Sequence, residues 1–369
     1  MKFDRRLFFN FDWTLLVLIL VISFIGILNI YSAGNSMDNF RQETIYIKQA
    51  QWIIIGLILI GIIICIDYRF ICRFAYVIYA ISIMLLLVVA LFGYATHGSQ
   101  RWITLGGFSF QPSELVKLTI IIALAKYFDD HMIERSYSLK ELLIPFFIVL
   151  IPFLFILKQP DLGTALMLIF IAISIFFFIG IQLKSLILSV TGGFMIVPFS
   201  WFFLKDYQKE RIMTFFNPEN DPLGAGYHII QSIIAVGSGG ILGKGYLKGT
   251  QTQLKFLPVQ QTDFVFSVFA EEWGFLGGLI LMTMFLILIL WCLKIALNSR
   301  DFMGMLLSFG ITILIFWEVF INVGMVLGML PVVGIPLPFL SYGGSSMVVL
   351  MMAMGLLLNV SMRRFVLHP

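Results

Sequence analysis

Charge and metal-binding side chains are scarce in this sequence. Only 12% of its 369 residues are charged, and it contains 4 histidines and 3 cysteines. No histidine and cysteine spacing resembles a zinc site, and three cysteines form no even framework, so no disulfide is expected. The net charge of +4 is not gathered into a basic patch, and no nucleic-acid partner is expected.

Apolar residues fill the chain instead. Hydrophobic residues make up 60% of the sequence, and the mean hydropathy is +0.99. Uncharged runs of about 20 residues, the length that crosses a bilayer as a helix, recur along the chain. The sequence therefore predicts an all-α, polytopic membrane protein that forms a single membrane domain over residues 1–369.

These runs predict about ten transmembrane helices. The expected spans are 13–31, 50–66, 74–94, 112–127, 142–157, 162–181, 185–204, 264–293, 303–329 and 345–360. A long loop, at about 205–262, separates the seventh span from the eighth. The basic start, MKFDRRLFF, resembles that of a signal peptide, but the apolar run behind it is long enough to span, which predicts an uncleaved first helix.

The distribution of lysine and arginine predicts the orientation. The short outer loops hold only Arg41, Lys48, Arg101 and Lys158, whereas the other side carries basic residues from Lys2 to Arg364. Because basic residues are retained on the cytoplasmic side, both termini are expected in the cytoplasm. The expected location of the protein is the cytoplasmic (inner) membrane. The 205–262 loop is then extracytoplasmic.

The stretch QPSELVKL, residues 111–118, places two opposite charges in a span. Pro112 suits the first turn of a helix, and Glu114 and Lys117, three residues apart, share one face. A self-neutralising pair that lets a short helix sit in lipid explains them as well as a functional site does. Just upstream, Arg101 beside Trp102 is typical of an interfacial anchor.

The stretch KQPDLGTAL, residues 158–166, places Asp161 directly before an apolar helical run. An aspartate there is explained by N-capping alone, because its carboxylate accepts hydrogen bonds from the first free amides of a helix.

The predicted outer loop contains six glycines from Gly237 to Gly249, interleaved with Lys244 and Lys248. Backbone nests of this kind hold phosphate groups, but the spacing matches no Walker or dinucleotide pattern. A flexible connector is the simpler interpretation.

The stretch PVVGIPLPFLSYGGSS, residues 331–346, contains three prolines within eight residues. Such a backbone cannot form an unbroken helix against lipid, so it is expected to line a cavity that water reaches, with Ser341 as a substrate contact. In the preceding span, Glu318 and Asn322 lie one turn apart. They fit a polar interior or a helix-to-helix hydrogen bond, and we interpret Glu318 as structural.

The stretch QQTDFVFSVFAEEWG, residues 260–274, places Asp263 at the outer mouth of a membrane helix, where an ionised group is costly. The structural explanation is a helix cap. Glu271 lies about 12 Å deeper along the helix and Glu272 points almost oppositely, so we interpret both as polar contacts between helices.

Together these motifs resemble the SEDS family (shape, elongation, division and sporulation), with GTQTQL at 249–254 closest to its RodA branch. The resemblance runs through most of the chain. It implies a ten-helix peptidoglycan glycosyltransferase that polymerises lipid II outside the cytoplasmic membrane and works with a class B penicillin-binding protein. It also implies a catalytic role for Asp263 and functional roles for Glu114, Lys117 and Asp161.

One segment departs from the family pattern. The RodA branch usually reads LPExHTDF before the helix, whereas this chain reads LPVQQTDF, with Val259 and Gln261 in place of glutamate and histidine. Asp263 therefore lacks its usual ionisable neighbours, which argues that those two side chains are not indispensable to the chemistry.

The expected chemistry requires a donor that is already activated, because the sequence has no nucleotide-binding motif. A lipid-linked pyrophosphate supplies the leaving group, and its charge would be stabilised by Lys117, Arg101 or a lysine of the loop. Asp263 would accept the proton of the acceptor hydroxyl as general base. No cofactor is assigned, although a divalent cation bridging the pyrophosphate fits this scheme.

The expected partners are lipid II, the nascent glycan strand, the class B transpeptidase and other membrane proteins of the elongation machinery. Two other functions remain open: a flippase or transporter for a lipid-linked precursor, and a non-catalytic scaffold. Convergence of Glu114, Asp161 and Asp263 near the outer surface favours a polymerase. Charges that trace a path across the bilayer favour transport.

Overall fold

A computed structural model describes residues 10–34, 44–92, 94–96, 99–105, 108–133, 135–188, 191, 202, 206–221, 224–254, 256 and 259–364. The basic N-terminal residues, Arg41 and most of the seventh expected span, 185–204, lie outside the described residues. The structure is helical apart from one small sheet. Its helices are α1 Trp13–Gly34, α2 Ile45–Cys65, α3 Tyr68–Arg73, α4 Ala75–Phe92, α5 Pro112–Asp130, α6 Leu143–Lys158, α7 Leu162–Ile179, α8 Asp206–Phe216, α9 Ala225–Ser238, α10 Thr250–Gln253, α11 Val265–Leu297, α12 Phe302–Val326 and α13 Gly344–Arg363, with a 3-10 turn at Pro218–Asn220.

Helices that could cross a membrane dominate the structure. Among the described residues, α1, α2, α4, α7, α11, α12 and α13 are long and apolar enough to do so, and α6 is a shorter apolar helix. Each coincides with an expected span to within a few residues; the largest differences are the start of α2 at Ile45, against an expected 50, and the end of α11 at Leu297, against an expected 293. The chain is therefore a multi-pass membrane protein.

The structure is mostly helical, as expected, but it also contains one small sheet. Three short strands, β1 Tyr94–Thr96, β2 Ser99–Leu105 and β3 Phe108–Phe110, form an antiparallel sheet in the order β1-β2-β3 between α4 and α5. Tyr94 pairs with Trp102, and Ile103 pairs with Phe110. Aromatic and β-branched residues suit such pairing, and the sheet places Arg101 on a hydrogen-bonded strand rather than on a free loop.

The eighth expected span is interrupted. Gly274, inside α11, has φ 65° and ψ −165°, so the helical ladder stops there. The carbonyl groups that the break frees, those of Glu271 and Glu272, accept from the backbone amides of Lys244 and Gly245 at 3.1 and 3.0 Å. Because the loop satisfies these polar groups, a break that lipid could not tolerate is stable here.

The centre of the bundle consists of α5, α12 and α13, which are mostly buried. Close approach of these helices depends on small residues. A Cβ on Gly310 of α12 would come within 2.5 Å of Ile121 on α5, and one on Gly56 of α2 would come within 2.5 Å of Met351 on α13. Small residues of this kind allow the close helix contacts that stabilise bundles in membranes.

Candidate active site

Asp263 lies directly before α11, where the carboxylate faces the proline-rich segment. The helix begins after Phe264, and no side chain caps it, so the capping explanation of Asp263 is not supported. The Asp263 side chain is partly exposed. Its Oδ2 atom lies 3.4 Å from the position that a Cβ on Gly334 would take. The carboxylate therefore borders the segment that the sequence predicts to line a cavity.

The backbone around Asp263 is held by the neighbouring span. The side-chain amide of Asn322, on α12, donates to the carbonyl oxygens of both Asp263 and Ile335, at 3.0 and 2.7 Å. Asn322 is itself fully buried. One buried amide thus joins the residue before α11 to the proline-rich segment, and Asn322 contacts a loop rather than a second helix.

Ser341 also joins these two segments. Its hydroxyl donates to the carbonyl of Thr262 at 2.6 Å and accepts from the amide of Leu337 at 2.8 Å. Ser341 is only 5% exposed, so the expectation that water reaches it is wrong. The reason is that protein groups, not water, satisfy the polar atoms that the prolines leave without helical partners.

The charges around Asp263 come from several elements. Burial raises the pKa of the Asp263 carboxyl above its usual range, and the charge of Asp161 acts in the same direction. A hydrogen bond from Thr262 and the positive charges of Arg211 and Arg101 act in the opposite direction. A carboxylate with a raised pKa is a better proton acceptor than one in water.

Asp161 caps α7 and also contacts two other polar side chains. Its carboxylate accepts from the amide of Thr164 at 3.2 Å, which confirms the cap of α7. It also accepts from the side-chain amide of Gln111 at 3.2 Å and lies 3.8 Å from a guanidinium nitrogen of Arg101. Asp161 is therefore a capping residue that also belongs to a polar cluster at this end of the bundle.

Arg101 is anchored by carbonyl groups. Its Nε donates to the carbonyl of Gln159 at 3.1 Å, and another of its nitrogens donates to the carbonyl of Pro160. These bonds use only part of the five N–H donors of a guanidinium. The rest can bind an anion, which an interfacial anchor alone does not require.

The predicted pair between Glu114 and Lys117 is confirmed and has a third member. The Lys117 ammonium lies 2.8 Å from Glu114 and 2.6 Å from Glu318, and all three side chains are buried. The interpretation of Glu318 as structural agrees with this contact. Two carboxylates surround one ammonium, so Lys117 offers no free positive charge to a pyrophosphate, contrary to expectation.

Glu271 and Glu272 are structural, but they bind mainly the glycine-rich loop rather than other helices; the helix-to-helix contact is the bond that Glu272 accepts from the hydroxyl of Ser32 on α1. The Glu271 carboxylate contacts the ammonium of Lys244 at 2.7 Å and the amide of Gln251 at 2.9 Å. Glu272 accepts from the amide of Leu247 at 3.1 Å. The loop is therefore not a loose connector, and Lys244 is neutralised by a carboxylate.

Several residues of the site escaped the sequence analysis. Gln111 and Arg211 carry no local signal, and the partners of Glu318 and Asn322 lie in segments far apart in the sequence. Within the described part of the chain, no three histidine, cysteine, aspartate or glutamate side chains come together as a metal site.

Asp161 and Asp263 lie beside the same proline-rich segment. A Cβ on Gly163, two residues after Asp161, would touch the Val333 carbonyl, and the Asp263 carboxylate lies near Gly334. Glu114 lies one turn into α5 from Gln111, which binds Asp161, but its own carboxylate is paired with Lys117 in the buried cluster. Of the three carboxylates expected to converge, Asp161 and Asp263 are therefore the two that share one surface.

Comparisons with known proteins show the family of this chain. The profile of the FtsW/RodA/SpoVE cell cycle protein family matches residues 12–365. The chain is 39% identical to the peptidoglycan glycosyltransferase MrdB of Escherichia coli K12, over 96% of this chain and 94% of that protein. It is 34% identical to the peptidoglycan glycosyltransferase RodA of Treponema pallidum, over 96% and 98%.

Solved structures show the same fold. A chain of a peptidoglycan synthase complex that coordinates polymerization and crosslinking superposes with a TM-score of 0.82 at 33% identity, over 96% of this chain and 98% of that one. The rod shape determining protein RodA of Thermus thermophilus superposes with a TM-score of 0.71 at 29% identity, over the same shares.

Proposed function

The chain belongs to the FtsW/RodA/SpoVE family, and from that membership we propose that it polymerises lipid II into glycan strands during cell elongation. It is a peptidoglycan glycosyltransferase, as are its relatives at 39% and 34% identity. In the proposed step, the acceptor hydroxyl oxygen attacks the anomeric carbon of the donor sugar, and the bond from that carbon to pyrophosphate breaks. Asp263 takes the hydroxyl proton, and undecaprenyl pyrophosphate leaves.

The position of Asp263 carries this proposal. Its backbone is held by Asn322, the neighbouring Thr262 is held by Ser341, and its carboxylate borders the proline-rich segment with a raised pKa. A base that is positioned in this way contributes about 10² to 10⁴ in rate.

The leaving group requires positive charge that is not tightly held by carboxylates. Lys117 and Lys244 hold carboxylates at 2.6 to 2.8 Å, whereas the pair of Arg101 with Asp161 is longer, at 3.8 Å. The two cations that act electrostatically on Asp263 are Arg211 and Arg101. We assign them to the pyrophosphate, because fixed cations aimed at developing charge lower the barrier without reorganisation. Glu114, Lys117, Asp161 and Ser341 then shape the substrate site around them.

The proposed topology has ten spans, cytoplasmic termini and an extracytoplasmic site in the cytoplasmic membrane. Asp263, Asp161 and the glycine-rich loop then lie outside, where lipid II is consumed. A class B penicillin-binding protein is the proposed partner, supported by the likeness to a synthase complex that couples polymerization to crosslinking. Other elongation proteins of the membrane would assemble with this pair.

The test is polymerisation of purified lipid II by the purified protein together with its transpeptidase partner. Glycan strands should form, and they should also form when the transpeptidase carries an inactivated nucleophile. Movement of lipid II across liposome membranes without any strand formation would instead favour the flippase.

Replacing Arg211 by glutamine should move the acid limb of the pH profile upward. Loss of a nearby positive charge raises the pKa of Asp263 further, and the base works only when deprotonated. Activity below the limb should therefore fall. The measurement is kcat/KM for lipid II as a function of pH, which reports the free enzyme's base.

Arg135→Gln is the matched control, because Arg135 is highly exposed and pairs with Glu141 away from this site. Its acid limb should stay in place. If the acid limbs of the two variants fall at the same pH, Arg211 does not act on Asp263.

Replacing Asn322 by alanine should lower kcat about 10²-fold, because a catalytic group displaced by about 1 Å loses that much. The hydrogen bonds from Asn322 to the carbonyls of Asp263 and Ile335 would be lost, while no contact with the substrate is expected to be removed. The KM for lipid II should change little. Steady-state kinetics of the purified complex provide both constants.

Asn298→Ala controls for loss of an amide, since Asn298 is exposed and its amide bonds only the Lys294 carbonyl. It should behave as the unmodified protein. If Asn322→Ala lowered kcat and stability in detergent together, and raised KM by a similar factor, Asn322 would have only a packing role.

A further inference from the structure

The glycine-rich loop exposes two large aliphatic side chains at its tip. Ile241 is 69% exposed and Leu242 is 78% exposed. The tip is not a loose segment, because Gly240 and Gly243 take left-handed conformations that close the turn and the backbone is hydrogen-bonded on both sides. Apolar side chains held outward on an ordered loop indicate a surface that contacts something apolar.

The sequence and the helix break set the level of this tip relative to the membrane. Beyond Gly274, the run from Phe275 to Leu293 has 19 residues without charge and ends at Lys294. At about 1.5 Å per residue, it spans roughly the 30 Å of a bilayer's hydrocarbon core. The hydrocarbon boundary on the Asp263 side therefore lies near Phe275.

Backbone hydrogen bonds place the tip at this boundary. The amide of Phe275 donates to the carbonyl of Gly240 at 2.8 Å, and that of Leu276 donates to the carbonyl of Ile241 at 3.1 Å. These are the first amides of the membrane-crossing half of α11. Lifting the tip away would leave them without partners at the edge of lipid, which is costly.

The surroundings of the tip are typical of a membrane interface. Trp273 and Tyr246 lie beside it, with ring centroids 6.4 Å apart, and the Tyr246 hydroxyl donates to the carbonyl of Leu28 on α1. Tyrosine and tryptophan concentrate at the headgroup level. Below them, the exposed side chains of Phe275 and Ile280 continue the apolar surface into the bilayer.

We propose that Ile241 and Leu242 insert into the leaflet on the Asp263 side, at the boundary between headgroups and acyl chains. The partner is the lipid surface itself, because the tip is continuous with the lipid-facing side of α11. Through Lys244 and Glu271, the same loop is joined to the first half of α11. Insertion thus fixes the height of Asp263 above the bilayer. The insertion itself does not depend on the proposed function; only its effect on the position of Asp263 as a catalytic base does.

The test uses a fluorescent label whose emission reports polarity. Leu242→Cys is combined with Cys65→Ser, since Cys65 is exposed whereas Cys72 and Cys292 are buried. The full-length protein is labelled with an NBD thiol reagent and placed in phosphatidylcholine and phosphatidylglycerol nanodiscs. The label should emit at shorter wavelength than in water, and lipids that carry a nitroxide near the headgroup should quench it.

Lys248→Cys in the same background is the matched control, because Lys248 is exposed on the same loop but beyond the tip. Its label should be quenched by aqueous iodide and not by the nitroxide lipid. Equal iodide quenching at both positions would overturn the proposal. Shielding of Leu242→Cys only after addition of the transpeptidase would assign the tip to a protein partner and overturn it as well.

Discussion

Asp263→Asn should reduce glycan polymerisation by about 10² to 10⁴ in rate while lipid II binding stays nearly intact. Asparagine keeps the size of the side chain but lacks the basic oxygen that would accept the acceptor's proton. The backbone carbonyl of residue 263, which accepts from Asn322, is unaffected by the change. Strand synthesis from lipid II and a separate binding measurement on the same purified protein distinguish chemistry from affinity.

Asp221→Asn is the control for this substitution. Asp221 accepts from the amides of Gly224 at 2.9 Å and Gly226 at 3.4 Å, and an asparagine oxygen can keep the shorter of these turn contacts. Near-normal activity is expected there. If Asp263→Asn polymerised lipid II as fast as this control, Asp263 would not be the base, and its carboxylate would have only a structural role.

The sequence reveals the helices because each long apolar run has few other ways to satisfy its backbone in lipid. It does not reveal the break at Gly274. That glycine stands in a helical pattern, and the loop amides that stabilise the break come from Lys244 and Gly245, about thirty residues earlier. The sheet around Arg101 was missed because its strands are short and lie between two strong helical signals.

In the candidate site too, contacts between residues close in the sequence could be predicted, and contacts between distant residues could not. The cap formed by Asp161 spans three residues, so local sequence predicts it, as it predicts the pairing of Glu114 with Lys117. The contact of Asp161 with Gln111 joins residues 50 apart, and the contact of Lys117 with Glu318 joins residues 201 apart. Such contacts depend on how the helices pack, and one sequence does not encode that packing in any local pattern.

Lys117→Met should destabilise the protein more than any single change to its two partners. Removing the ammonium leaves Glu114 and Glu318 close together and buried without a counter-charge, and breaking a buried ion pair costs about 3–5 kcal/mol. Glu318→Gln should be mild, because its amide oxygen still accepts from Lys117 and the remaining pair with Glu114 is neutral. The measurement is the thermal unfolding midpoint in detergent, together with polymerase activity.

Two further variants make this prediction specific. Lys126→Met removes an ammonium from the same helix, but its pair with Asp130 is partly solvent-exposed, so the loss should be about 0.5 kcal/mol or less. The double change Glu114→Gln with Lys117→Met should remain unstable, because Glu318 stays buried and unpaired. Adding Glu318→Gln should recover part of the stability, since no buried charge is then left. If instead the effects of the three changes simply add, the cluster does not act as a unit.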